Sequence, residues 1–200
     1  MTTLSCPSPA MPPEPVRRLS VEQYHAMIET GILGEEDRIE LLEGWLIEKM
    51  TKNTHHIAAA RRVRRRLERV ATDGWMIEVQ DPVTTADSEP EPDVMVVSGT
   101  EEDFDDERVQ ASDVGLVVEV SDASLARDRG QKQRIYAAAR IPVYWIINVI
   151  DRQVEVFTNP SGEGDLAAYE TSSILTPGSE VPVVLDGREI GRIAVVELLP

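Results

Sequence analysis

The sequence predicts an α/β fold, a mixed β-sheet flanked by helices in a single domain. Three observations carry this expectation. The chain has 200 residues, 42% of them hydrophobic, which is enough for one packed core and too few for two domains of ordinary size. Short β-rich apolar runs alternate with longer stretches of helical spacing. The segment from Gly115 to Val149 reads as strand, helix, strand, and a crossover helix of that length implies a parallel pair within a mixed sheet.

Residues 1–17 hold Pro7, Pro9, Pro12, Pro13 and Pro15, without a basic and apolar leader pattern, and read as a disordered tail ahead of a folded domain over 18–200. Ser20 and Gln23 form a capping box, and Tyr24, Met27 and Ile28 before Gly31 mark a short helix. Arg38 to Leu42 and Trp45 to Met50 flank Glu43-Gly44 as the strands of a hairpin, with Glu43 as a turn residue. Ile57, Ala60, Val63, Leu67 and Val70 predict one face of a long helix over about 53–72, ended by Gly74. Trp75 to Gln80, Pro92 to Val97, Gly115 to Ser121, Val143 to Val149 and Val154 to Thr158 read as strands. Asp128 is placed as the cap of a helix through Arg140, with Gln131, Lys132, Ile135, Tyr136 and Ala139 at helical spacing. Residues 159–200 read as a weaker appendage of edge strands with a short closing helix near Ile193 to Leu198.

The only cysteine, Cys6, excludes an intrachain disulfide framework and favours a reducing cytoplasm. No run approaches the roughly 18 apolar residues needed to span a bilayer. A formal net charge of -16 argues against an extended nucleic-acid-binding surface, because phosphate contacts are made by Lys and Arg. Six acidic residues fall in Glu101 to Glu107 and read as a solvated loop; six arginines fall in Arg61 to Arg69. That arginine run is either a solvated helix face or a phosphate-contacting stripe built on Arg62, Arg65 and Arg66. Three scattered histidines and one cysteine lack zinc-ligand spacing, and no Gly-rich phosphate loop or G-x-S-x-G elbow is present.

The chemistry concentrates elsewhere. Pro92-Asp93 heads the apolar run Val94 to Val97, and Glu119 follows inside Gly115 to Ser121. Burying an unpaired carboxylate costs several kcal/mol, so a strand carboxylate is kept when it is paired, hydrogen-bonded or bound to a cation. Glu119 alone is accounted for by solvent or by an arginine partner. Two strand carboxylates together are how a fold builds a divalent-metal site. Alternation puts Glu119 and Ser121 on one face and Val118 and Val120 on the other. Lys132 lies on the following helix, which must pack back across the sheet; its alternative is an ordinary exposed helical lysine.

The order Pro92-Asp93, Glu119-Val120-Ser121, then a lysine in the next helix resembles the PD-(D/E)xK nuclease superfamily. The fuller text resembles its Uma-type branch of putative restriction endonucleases. The matching stretches are Glu40 to Gly44, Lys49 to Asn53 with His56, Gln80 to Val83, Glu89 to Asp93, Val117 to Ser124, Asp128 with Lys132 and Tyr136, and Pro142 to Ile147. The resemblance implies a restriction-endonuclease-like fold and a metal-dependent DNA endonuclease with catalytic Asp93, Glu119 and Lys132. Mg²⁺ or Mn²⁺ would sit on Asp93, Glu119 and the Val120 carbonyl, with Glu40 completing the set. Ser121 stands where the superfamily pattern has lysine, so the resemblance moves that role to Lys132. Ser121 and His56 become supporting residues; His56 also suits a capping role, and His55 is a weaker match. A homodimer is expected, from the apolar strand Pro142 to Val149 and because nucleases of this fold often pair. The alternative is a catalytically inactive nuclease-fold dimer acting as a binding or regulatory module. A mainly structural metal is a third possibility.

Overall fold

The computed structural model describes residues 15–200. The expected disordered tail lies outside the described residues apart from 15–17, which are exposed and without regular structure. The reciprocal capping box of Ser20 and Gln23 opens helix α1, Val21–Glu29, whose Val21 and Tyr24 pack on Leu41. Strands β1, Ile39–Leu42, and β2, Trp45–Glu48, form the expected hairpin. Its turn residues Glu43 and Gly44 both have positive φ, 50° and 77°, the conformation favoured in tight hairpin turns.

Helix α2, Thr54–Val70, is capped by Asn53, whose side chain accepts the His56 N–H. Its buried face is His56, Ala59, Ala60, Val63 and Leu67. The expected Ile57 is instead 37% exposed, because the adjacent small residues Ala59 and Ala60 define the line of closest approach to the sheet.

The main sheet has six strands in the order β3-β4-β5-β6-β7-β8. They are Trp75–Glu78, Val94–Ser98, Val114–Ser121, Val143–Asn148, Gln153–Ser161 and Ala168–Leu175. The β5/β6 pair is parallel and its neighbours are antiparallel, as expected of a mixed sheet. Alternation sends Val94, Val96, Val118, Val120, Trp145 and Ile147 to the face covered by α2 and the C-terminal residues. Met95, Val97, Val117, Tyr144 and Ile146 go to the face covered by Ile135, Tyr136 and Ala137 of the crossover helix.

Residues 159–200 are not an appendage. Strand β7 runs on through Asn159 and Pro160, with Pro160 opposite Tyr169 of β8. Asn159 adopts a φ of 60°, yet pairing continues past it. Strands β9, Glu180–Leu185, and β10, Arg188–Ala194, form a second hairpin that buries Val181, Val183, Leu185 and Ile193 in the core. A helical turn, Val195–Leu198, closes the chain. Strand β6 is buried at every position, inside the sheet and covered on both faces. The apolar surface on which the dimer expectation partly rested is therefore satisfied within one chain. Among the described residues no helix is long and apolar enough to cross a membrane.

Candidate active site

Antiparallel pairing of β4 with β5 sets Val94 opposite Val118, so the residue before β4 meets the end of β5. Asp93 Oδ2 accepts the Val120 N–H at 2.9 Å. The same oxygen lies 2.9 Å from His56 Nε2, and Oδ1 lies 2.8 Å from Lys52 Nζ. Burial pushes the Asp93 carboxyl up, but the hydrogen bonds and charge of His56 and Lys52 outweigh it and hold the group down at about 2.

Glu119 Oε1 accepts from Lys132 Nζ at 2.8 Å and from the Tyr136 hydroxyl at 2.7 Å. Lys132 Nζ is also 3.3 Å from Glu40 Oε2, and that oxygen accepts the Glu91 N–H at 3.3 Å. Burial, aided by the charges of Asp93 and Asp128, pushes Glu119 up to about 8 against the pull of Lys132. For Lys132 burial disfavours the charge, and the carboxylates of Glu119, Glu40 and Asp128 more than restore it. One ammonium is shared among several carboxylates: the lysine stays charged, while a carboxylate in the group gains from a proton or a second cation.

The crossover helix spans residues 125–138 and corrects the expected cap. It starts at Leu125, and Asp128 opens an internal π-helical turn, Asp128–Lys132. Asp128 Oδ2 accepts from Ser121 Oγ at 2.6 Å and from Ser124 Oγ at 2.5 Å. Its carbonyl takes the Tyr144 hydroxyl at 3.1 Å. The wide turn leaves both Asp128 and Lys132 buried.

The structure thus brings Asp93, Glu119, Val120, Lys132, Glu40 and His56 to one cavity of about 50 Å³. Ser121 supports it through Asp128. His55 is exposed and does not line the cavity. Glu43, in the hairpin turn, takes a two-point contact from Arg134 at 2.7 and 2.8 Å. Arg62 donates to the Leu199 carbonyl at 2.7 Å and Arg66 pairs with Glu197 at 2.9 Å, while Arg65 is exposed.

Sequence reasoning missed the roles of Lys52, Lys49, Arg127 and Asp128. A signal was present in Glu89-Pro-Glu-Pro-Asp93. Proline holds its neighbours extended and offers no N–H, so alternate carboxylates in such a run seek cations. Glu89 meets His25 and Arg108, Glu91 meets Lys49, and Asp93 meets Lys52 and His56.

Among the described residues, no three His, Cys, Asp or Glu side chains are gathered tightly enough to hold a metal by themselves. The all-oxygen set of Asp93, Glu119 and the Val120 carbonyl nevertheless fits Mg²⁺ or Mn²⁺, since Mg²⁺ is commonly held by one or two carboxylates and keeps several waters. A cavity of about 50 Å³ has room for a few waters at roughly 10–15 Å³ each.

A family model, Uma2, described as "Putative restriction endonuclease", matches residues 21–194. Among solved structures, a putative nuclease belonging to DUF820 from Anabaena variabilis is similar, with a TM-score of 0.65 and 13% identity over 90% of this chain and 97% of that one. At that identity the likeness shows the fold. No curated protein matches.

Proposed function

The chain belongs to the Uma2 family, and on that premise we propose that it is a Mg²⁺- or Mn²⁺-dependent endonuclease that hydrolyses phosphodiester bonds of DNA. The observation that carries this reading is the Asp93 carboxylate held on the Val120 N–H, beside Glu119 with Lys132 2.8 Å from its carboxylate.

In this reading Asp93, Glu119 and the Val120 carbonyl would hold the cation, with Glu40 behind Lys132. The chemistry supplied by such a cation is Lewis-acid polarisation of a phosphoryl oxygen and acidification of water. The chain's own groups do the rest. His56 keeps Asp93 ionised and aimed. Tyr136 fixes the Glu119 carboxylate. Lys132, charged and nearly desolvated, orients the attacking water and offsets charge that develops on the phosphoryl group. Ser121 anchors Asp128, and so sets the turn from which Lys132 projects.

The test is cleavage of supercoiled and linear DNA in Mg²⁺, Mn²⁺ and EDTA. Nicking or linearisation with metal, lost in EDTA and in Asp93→Ala, is the expected result. No cleavage under any of these conditions would remove the proposal.

One observation favours a second reading, the inactive binding module: both oxygens of Asp93 are already engaged in a chain of net charge -16. A folded dimer with neither cleavage nor any response to metal would select it. Both readings carry a homodimer, which in the enzyme would supply a site for each strand of the duplex. Sedimentation showing only a 22.2 kDa species would exclude it.

A further inference from the structure

Only three of the chain's 20 Lys and Arg residues are lysines, and all three, Lys49, Lys52 and Lys132, line the one cavity that holds Asp93 and Glu119. Several arginines are locked in planar two-point pairs with Glu155, Glu43 and Glu189. Lysine is the compact point charge with rotatable donors, suited to a phosphate oxygen that approaches from more than one direction. The same lining carries the carboxylates of Glu40, Glu91, Asp93, Glu119, Asp122 and Asp128, so in a chain of net charge -16 these lysines, with Arg127, are the groups there that attract a polyanion.

The three lysines divide by depth. The Lys132 side chain is 5% exposed, whereas Lys52 is 31% and Lys49 26% exposed. Both rim lysines stand at the end of β2 or in the irregular segment before α2, where a side chain can swing from its carboxylate partner to an incoming ligand. Arg127 completes the rim from the crossover helix. Its side chain is 21% exposed, its nearest carboxylate oxygen is 3.7 Å away on Glu40, and its buried Nε has no hydrogen-bond partner. Its Nη1 makes only a long contact, 3.5 Å, to the Glu48 carbonyl, so the guanidinium is loosely held beside the cavity.

No Phe, Tyr or Trp lines the cavity, so it has no platform for stacking a base, and a volume of about 50 Å³ does not admit a flipped nucleobase. The matching ligand is backbone phosphate.

We propose that Lys49, Lys52 and Arg127 are the phosphate-contacting rim of the site, holding the DNA backbone on either side of the bond to be cut. This rests on the nuclease reading and assigns its substrate contacts. Such contacts position the duplex without reading its sequence.

The experiment is fluorescence anisotropy of a labelled DNA duplex in EDTA across a salt series. Lys49→Gln, Lys52→Gln and Arg127→Gln should each weaken binding and reduce the slope of log affinity against log salt by about 0.9. Lys49→Arg and Lys52→Arg, which keep the charge, should hold the wild-type slope; a structural effect on Glu91 or Asp93 alone would weaken binding in the Gln variants without moving the slope. Arg61→Gln with Arg65→Gln, both exposed on α2, should leave the slope unchanged. Slopes unmoved by the rim variants and lowered by the α2 variants would overturn the proposal and return the contacts to the helix. Wild-type protein that binds no duplex in EDTA and cleaves none in Mg²⁺ or Mn²⁺ would instead bring down the nuclease reading beneath it.

Discussion

Lys132 Nζ sits 2.8 Å from Glu119 Oε1 across 13 residues of chain. The parallel β5/β6 crossover creates this contact. The helix leaving β5 must return over the sheet face that Glu119 shares with Val117 and Ser121, and the π-turn points its lysine inward. Lys132→Met is expected to destabilise the protein by on the order of 3–5 kcal/mol in alkaline buffer, where it strands a buried carboxylate. The loss should shrink as pH falls through about 8, where Glu119 takes a proton instead. Denaturant melts at two pH values read this directly.

A divalent cation should stabilise the fold by mass action. At a free concentration 100-fold above Kd the gain is about 2.7 kcal/mol, or several degrees in Tm at roughly 2–4 °C per kcal/mol. Thermal melts in Mn²⁺ against EDTA should show the rise in wild type, and Asp93→Ala and Glu119→Ala should lose it. Equal melting in both solutions would exclude metal binding at these carboxylates.

Away from the site, Glu78 is pushed up to about 7 by burial first and then by the hydrogen bond and charge of Asp81, with Arg64 opposing. The native state therefore holds this proton more tightly than the unfolded chain does. Its stabilising share is complete below the ordinary glutamate range and is lost as pH rises through about 7. Glu119 titrates in an overlapping range, so the comparison is between wild type and Glu78→Gln. The variant should show a smaller fall in Tm between weakly acidic and weakly alkaline buffer, and matching curves would refute the assignment.

Arg62 and Arg66 are engaged with Leu199 and Glu197, tying α2 to the closing helical turn. Replacing both with glutamine should cost about 0.2–1 kcal/mol for each contact and raise amide exchange in residues 195–199. A duplex-binding defect without any change in exchange would show that their partners in solution are phosphates.

Much of this arrangement was legible because the informative residues break local rules. Asp93 and Glu119 are carboxylates set against apolar β runs, and only pairing or a cation explains them. The Ser20–Gln23 capping box and the Glu43-Gly44 turn are short-range chemistry, so they survived intact. Lys52 was not legible as a partner of Asp93, since its segment has no periodicity and the contact depends on how α2 docks. Asp128 deceived because a buried aspartate held by two serines and a helix cap look alike in one dimension. The C-terminal residues look like an appendage in one dimension because their burial depends on long-range pairing: β7 runs past Asn159 against β8, and the β9/β10 hairpin sinks Val181, Val183, Leu185 and Ile193 into the core.

The π-helical turn at Asp128–Lys132 gives the helix the character of a spliced rod, with one residue more than a regular α-helix would need over that stretch. Gly130 lies within it, and nothing comes within 4 Å of where its Cβ would be. Deleting Gly130 would let the backbone relax into a continuous α-helix, with little direct loss of packing. It would also rotate the two halves by about 100° relative to each other, so that Asp128 could no longer meet Ser121 while Lys132 met Glu119. The surplus residue works as a phase adjuster, allowing a single rod to serve the end of a strand and the interior of the cavity at once.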